Sequence, residues 1–219
     1  MGKFSMDGFK NISKRSLVRW LLFVGLIYAL YDAVYMRADS RHLMLDLADI
    51  SSGLVPMVVT NIDLPLLVGT VLLCILFSKQ DVASALVLRT KSQIMWLAVG
   101  VVVFMAIIYM TMPGGMVDAY EIVHTLIVVA LLEELVFRGL LFRWMLRAQM
   151  GASAYLMSGL AWGALLGIRS MVVGGVGAIG AILPMALVGA VVGTAAAVVY
   201  KKTNSLWLVI YLHAALSLL

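Results

Sequence analysis

Apolar residues run in seven long blocks, near 20–36, 54–77, 93–112, 121–143, 153–169, 176–199 and 205–219, with short polar connectors between them. Each block is close to the ~20 residues a helix needs to cross a bilayer core, the first, fifth and last being short. The pattern predicts an all-α fold, a polytopic transmembrane helical bundle of about seven spans. Two stretches depart from it. Residues 37–53, RADSRHLMLDLADISSG, mix polar and apolar positions and are expected at the outer interface as a short amphipathic helix. Residues 171–183, MVVGGVGAIGAIL, are glycine-rich and stop at Pro184. They read as a re-entrant or irregular segment, which a membrane tolerates only where protein or water covers the backbone. No internal repeat is visible, and one structural domain is expected. Within it, residues 1–117 form a basic N-terminal segment plus three scaffold helices, and 118–219 a core of about four helices.

Composition agrees with a membrane location. The chain is 63% hydrophobic and 12% charged, with a mean hydropathy of +1.06. A soluble domain is about half apolar and about a quarter charged. The net charge of +5 is not a nucleic-acid footprint, because it comes from Lys and Arg in the connectors. With the N-terminus cytoplasmic, Lys3, Lys10, Lys14, Arg15, Arg19, Lys79, Arg89, Lys91, Arg143, Arg147, Lys201 and Lys202 fall inside. Only Arg37, Arg41 and Arg169 fall outside, and Arg138 lies within a span. That is the positive-inside pattern. The basic start followed by apolar Trp20 to Met36 resembles a signal peptide, but RADSRHLMLD offers no small-x-small cleavage site, so a retained first helix is expected. Cys74, the one cysteine, excludes an internal disulfide framework and most cysteine-based metal sites, and reads as a buried inert thiol.

The fourth block contains LLEELVFRGLLF, with Glu133, Glu134 and Arg138 inside an otherwise lipid-compatible run. On an insertion scale each mid-span charge costs ~2.5–3.5 kcal/mol if it stands alone. Glu134 and Arg138 are four apart on one helical face, acid first, the better order for a pair. A bidentate contact between them would cancel most of both charges. Glu133, turned about 100° from Glu134, has no cation waiting on its own helix. It reads either as a glutamate protonated by burial or, by the default for an unmatched intramembrane acid, as a functional group.

Hydrolysis would need a base, a group to hold water or a proton, and something to stabilise an oxyanion. Three histidines are available. His42 falls in the interfacial segment and reads as solvated. His124 precedes Glu133 by nine residues, on the opposite face of a straight helix and ~13 Å along its axis, and is expected to pair with Glu121. His213 stands in LWLVIYLHAALSLL with no other ionisable group, and Ser217 follows one turn on, facing the same way. Alone, it reads equally as a satisfied interhelical hydrogen bond.

The order of these features resembles the CPBP family, the CAAX-protease and bacteriocin-processing group of membrane proteins. Its first motif, EExxxR, stands here as Glu133-Glu134-Leu-Val-Phe-Arg138, followed by GLLFRWML. Its second, FxxxH, corresponds to SGLAWGALLG, with Trp162 at the phenylalanine position and Leu166 at the histidine position. A glycine-rich helix with a basic turn follows in LPMALVGAVVGTAAAVVYKKTNSLWLVIYLHA, and the last motif, HxxxN or HxxxD, reads His213-Ala-Ala-Leu-Ser217. The resemblance covers roughly the C-terminal hundred residues. It implies a glutamate-dependent intramembrane endopeptidase in a multi-pass cell membrane of bacterial type. Glu133 and the second-motif histidine would activate water, the third-motif pair would hold the oxyanion, and Glu134 and Arg138 would orient the first-motif helix. It implies no cofactor, and a lipid-embedded or lipid-anchored peptide or protein as substrate or partner. Earlier descriptions called the family metalloproteases. A zinc site wants three convergent N, S or O ligands, and this chain has no HExxH and one histidine in the right region, so no metal is expected.

Two motif positions depart from the family. Leu166 cannot move a proton and Ser217 is shorter than asparagine. Loss of an acid–base partner costs ~10²–10⁴ in rate, and loss of one oxyanion donor ~10²–10³. Arg169, one turn beyond Leu166 on the same face, is the candidate compensating charge for Glu133, as a neutralising partner and not a proton shuttle. Gly159, Gly163 and Gly167, like Gly189 and Gly193, repeat every four residues, a spacing that lets helices approach closely. The helix bearing Leu166 is therefore expected to pack against a neighbour, the Glu133 helix. Three functions stay open: an active peptidase; an inactive family member with a membrane binding, regulatory or bacteriocin-immunity role; and a transporter. Against the last, no pair of interrupted helices occupies matching halves.

Overall fold

The computed structural model of the chain describes residues 13–40, 63–111, 122–174 and 179–219. The described residues are helical apart from short turns. Seven helical rods follow one another: α1 (Lys14–Ser40), α2 (Asp63–Leu86), α3 (Lys91–Thr111), α4 (residues 124–147), α5 (Ala152–Gly174), α6 (Ile179–Thr203) and α7 (Leu206–Ser217). Among the described residues, the stretches Leu66–Leu86, Lys91–Met110 and Gly180–Thr203 are long and apolar enough to cross a membrane.

Three boundaries differ from the hydrophobic blocks. The second block runs further than expected: α2, described from Asp63, continues to Leu86, so Lys79 and Asp81 lie in a helix and not in a connector. Polar satisfaction makes this possible. The rod bends at Ser78, whose hydroxyl bonds Asp81 Oδ2 at 2.5 Å, and Arg147 donates to both oxygens of Asp81 at 2.5 and 2.7 Å. Pro184 does not end a segment, because α6 runs through it. Six residues into the helix, it has no N–H to give Gly180 O, and α6 continues without that one bond. Within the 171–183 stretch, expected to be irregular, the described residues are helical: α5 extends to Gly174 and α6 is described from Ile179, with 175–178 outside the described residues. The interfacial segment with His42 and the expected His124–Glu121 pair also fall, wholly or in part, outside them.

Helix α4 is the axis of the bundle. It is wound as a π-helix over His124–Leu131 and Leu135–Phe142, with an α-helical turn, Leu132–Glu134, between them. Every residue from 132 to 142 is buried. A helix apolar all round must be enclosed by protein or lipid, and here α2, α5, α6 and α7 all contact it. π-winding is rare and recurs at functional sites.

Lipid tails are as apolar as leucine, so helices in a bilayer associate by close packing and not by hydrophobic exclusion. The most extensive contact is between α5 and α6. A Cβ on Gly163 would stand 2.3 Å from Ala186 O, and one on Gly159 2.5 Å from Ala190 O. The glycine repeat of α5 therefore grips α6, which corrects the expectation that it served the α4 contact; α5 touches α4 less extensively. Tight turns fix the rest. Asn204 adopts a left-handed conformation, φ 51°, which ends α6, and Ser205 caps α7 by accepting from Leu208 N. Trp207 Nε1 donates to Leu86 O at 2.8 Å and Gln93 Nε2 to Asn204 O at 2.7 Å, tying α7 to α2 and the α6–α7 turn to α3.

Candidate active site

Glu133 and Glu134 are both 1% exposed and Arg138 is wholly buried, so the charged triplet is withdrawn into the bundle. Arg138 donates through Nη1 to Glu134 Oε1 at 2.7 Å and through Nη2 to Gly193 O at 3.2 Å. The expected bidentate carboxylate contact is not formed, because the second guanidinium nitrogen serves the α6 backbone. A Cβ at Gly193 would lie 3.0 Å from that Nη2 and 3.0 Å from Trp162 Cε3. Glycine there admits both the guanidinium and the indole.

His213 reaches the same carboxylate from α7. Its Nδ1 lies 2.9 Å from Glu134 Oε1, and its Nε2 lies 3.9 Å from Glu133 Oε2. An ionised Glu134 can only accept, so the Nδ1 carries the proton in that contact. The carboxylate thereby sets the ring's orientation and presents Nε2 to Glu133, as carboxylate–histidine pairs do elsewhere.

Glu133, the acid without a cation on its own helix, has partners on α5. Trp162 Nε1 donates to its Oε2 at 2.6 Å, and Arg169 Nη1 stands 3.5 Å from its Oε1. The Trp162 ring meets His213 edge-on, centroids 5.1 Å apart, and Arg138 lies 4.9 Å above the same ring. Leu166 and Ser217 line the same space. Leu166 brings no polar atom, and the Ser217 hydroxyl donates back to His213 O at 3.1 Å, within its own helix. Glu133, Glu134, Arg138, Trp162, Arg169 and His213 thus border one cavity of about 460 Å³ whose remaining walls are largely aliphatic. His124 is not among its lining residues.

The donor set does not form a metal-ligand group among the described residues. Each Glu133 oxygen faces a donor from α5, Glu134 Oε1 carries Arg138 and His213, and one imidazole nitrogen is engaged by Glu134. Two site features escape a reading of the sequence. The carbonyl of Gly193 is an acceptor for Arg138, visible beforehand only as a small residue in a four-residue repeat. The Trp162 indole is a donor to Glu133, where the motif predicts only an aromatic ring.

Residues 115–219 match the family model described as type II CAAX prenyl endopeptidase, Rce1-like. The C-terminal half of the chain belongs to that family. Its matched region holds every residue of the buried cluster, from Glu133 to His213, whereas α1, α2 and α3 lie before it. Together with the three apolar helices, the family makes this a membrane protein of the CAAX-protease type. Among curated proteins and solved structures, none matches this chain.

Proposed function

We propose that this protein is an intramembrane endopeptidase that uses Glu133 to activate water against a membrane-embedded or lipid-anchored peptide. The observation that carries this reading is the approach of His213 Nε2 to within 3.9 Å of Glu133 Oε2 across the cavity. A base and an imidazole converging on one space are what peptide hydrolysis requires. In the reaction, Glu133 takes a proton from water and the hydroxide oxygen adds to the scissile carbonyl carbon. His213, protonated on both nitrogens, donates through Nδ1 to Glu134 and through Nε2 to the oxygen that gains the charge. The C–N bond then breaks as Glu133 returns its proton to the departing amine. The products are a carboxylic acid and an amine, with no redox change.

A second reading is favoured by a specific pair of observations. Leu166 leaves Glu133 without a second proton-transfer group, and Arg169 stands 3.5 Å from the same carboxylate. An ion pair there would quench the base and leave a cleft that binds a membrane peptide without cutting it. Two variants separate the readings, assayed in proteoliposomes with a fluorogenic peptide bearing a C-terminal prenylcysteine motif and with its unlipidated counterpart. Under the peptidase reading Glu133→Gln abolishes cleavage while inserting and folding normally, and Leu166→His raises the rate by up to ~10². Retained cleavage in Glu133→Gln would sink the assignment. Absence of cleavage in the native protein and in Leu166→His, with peptide still bound, would leave the binding role standing.

A further inference from the structure

Trp162 touches more of the buried cluster than any single role in packing requires. Its indole N–H lies 2.6 Å from Glu133 Oε2, its ring edge meets His213, and Arg138 covers its face. Gly193, with no side chain, leaves room for the ring: a Cβ there would lie 3.0 Å from Trp162 Cε3. Leu166, one turn later on the same helix, lines the cavity yet offers the carboxylate nothing polar.

From this geometry we infer that Trp162 is the positioning residue for Glu133, its indole N–H fixing which carboxylate oxygen faces the imidazole. The inference rests on the peptidase reading for its catalytic consequence, but the contact itself can be tested without it. With Oε2 held by the indole, Oε2 is the oxygen 3.9 Å from His213 Nε2, and Oε1 is turned toward Arg169. Without the N–H the carboxylate is free to rotate onto Arg169, and the base is drawn away from the imidazole. A phenylalanine, the family residue at this position, would fill the space but hold neither oxygen. An indole donates a hydrogen bond and cannot shuttle a proton. Trp162 therefore supplies part of what Leu166 cannot: the aim of the base, without a second proton carrier.

The test replaces Trp162 with 3-benzothienylalanine, which keeps the bicyclic ring and exchanges N–H for sulfur, and in parallel with Phe. Losing one hydrogen bond to a charged group should lower kcat by about 10- to 100-fold with KM little changed. A fall in kcat with KM unchanged is a split that altered packing of the cleft alone would not make. The benzothienyl variant keeps the result interpretable should Phe fail to fold. Independently of activity, the Trp162 indole ¹⁵N–¹H resonance, assigned by its loss in Trp162→Phe, should move upfield in Glu133→Gln, where a neutral amide replaces the charged acceptor. If the resonance behaves so but no peptide is cleaved, the peptidase reading fails and the positioning contact stands. A resonance indifferent to Glu133→Gln, or a benzothienyl variant with the native kcat, overturns the inference.

Discussion

Arg138 shows how a single residue makes a buried site possible. Its guanidinium is wholly enclosed, and it neutralises Glu134 while reaching the backbone of α6. Removing one partner of a buried ion pair leaves the other charge uncompensated, at a cost of ~3–5 kcal/mol. Arg138→Leu should therefore fail to accumulate as folded protein, read as loss of the monodisperse peak in detergent. Arg138→Lys should not rescue it fully, since an ammonium lacks the planar fork that serves a carboxylate and a carbonyl at once. A Lys variant of native thermal stability would show that charge alone suffices. The triplet's cost and its Glu134–Arg138 pairing are readable from EExxxR and the four-residue spacing. The partners of Glu133 are not, because Trp162 and Arg169 lie 29 and 36 residues further on.

At the level of the element, the α5–α6 pair carries the site. Glu133 is held from α5 and Arg138 from α6, so the spacing between those two helices decides whether the indole can stand between them. The glycines set that spacing. A methyl group at Gly163 would stand 2.3 Å from Ala186 O and 2.6 Å from Ala190 N, and backbone atoms cannot step aside as a side-chain tip can. Overpacking of this kind costs ~1–3 kcal/mol. Gly163→Ala should lower the midpoint of thermal unfolding, whereas Gly25→Ala in α1, where a Cβ meets nothing within 4 Å, should be neutral or slightly stabilising. Equal midpoints for the two variants would mean that the α5–α6 grip contributes nothing. The four-residue repeat announces a close helix contact, but not its partner. A glycine stripe is complementary to any neighbour that also carries small residues, and only the assembled bundle puts Gly189 and Ala190 opposite it.

For the molecule as a whole, the charge asymmetry of the connectors predicts an N-terminus inside and a C-terminus outside. With one native cysteine, Cys74, buried, the prediction is simple to check. In a Cys74→Ser background, Lys202→Cys in the last turn of α6 should react with a membrane-impermeant maleimide only from the cytoplasmic side. Leu219→Cys should react only from the other side. Labelling of both from one side would mean that α7, twelve residues long, does not cross, and that the imidazole enters the site from a re-entrant rod. The α2–α4 tie through Asp81 and Arg147 is also a property of the assembled molecule. Arg147 is 55% exposed, so its pairing is screened by salt. Asp81 is buried, so Arg147→Ala should still cost ~1–3 kcal/mol, with a difference from the native protein that shrinks as ionic strength rises.

The all-helical bundle, the membrane setting and the family follow from the chain itself, because a run of apolar residues near bilayer length has few ways to satisfy its backbone and EExxxR is local in sequence. Glu134 finds Arg138 one helical turn away for the same reason. What the sequence leaves open is every contact that crosses between helices: the indole on Glu133, the guanidinium on Gly193 O, Glu134 on His213, and the grip of α5 on α6. Those depend on how the rods rotate and how closely they approach. In lipid that is decided by packing among all the neighbours at once, and no segment encodes it alone.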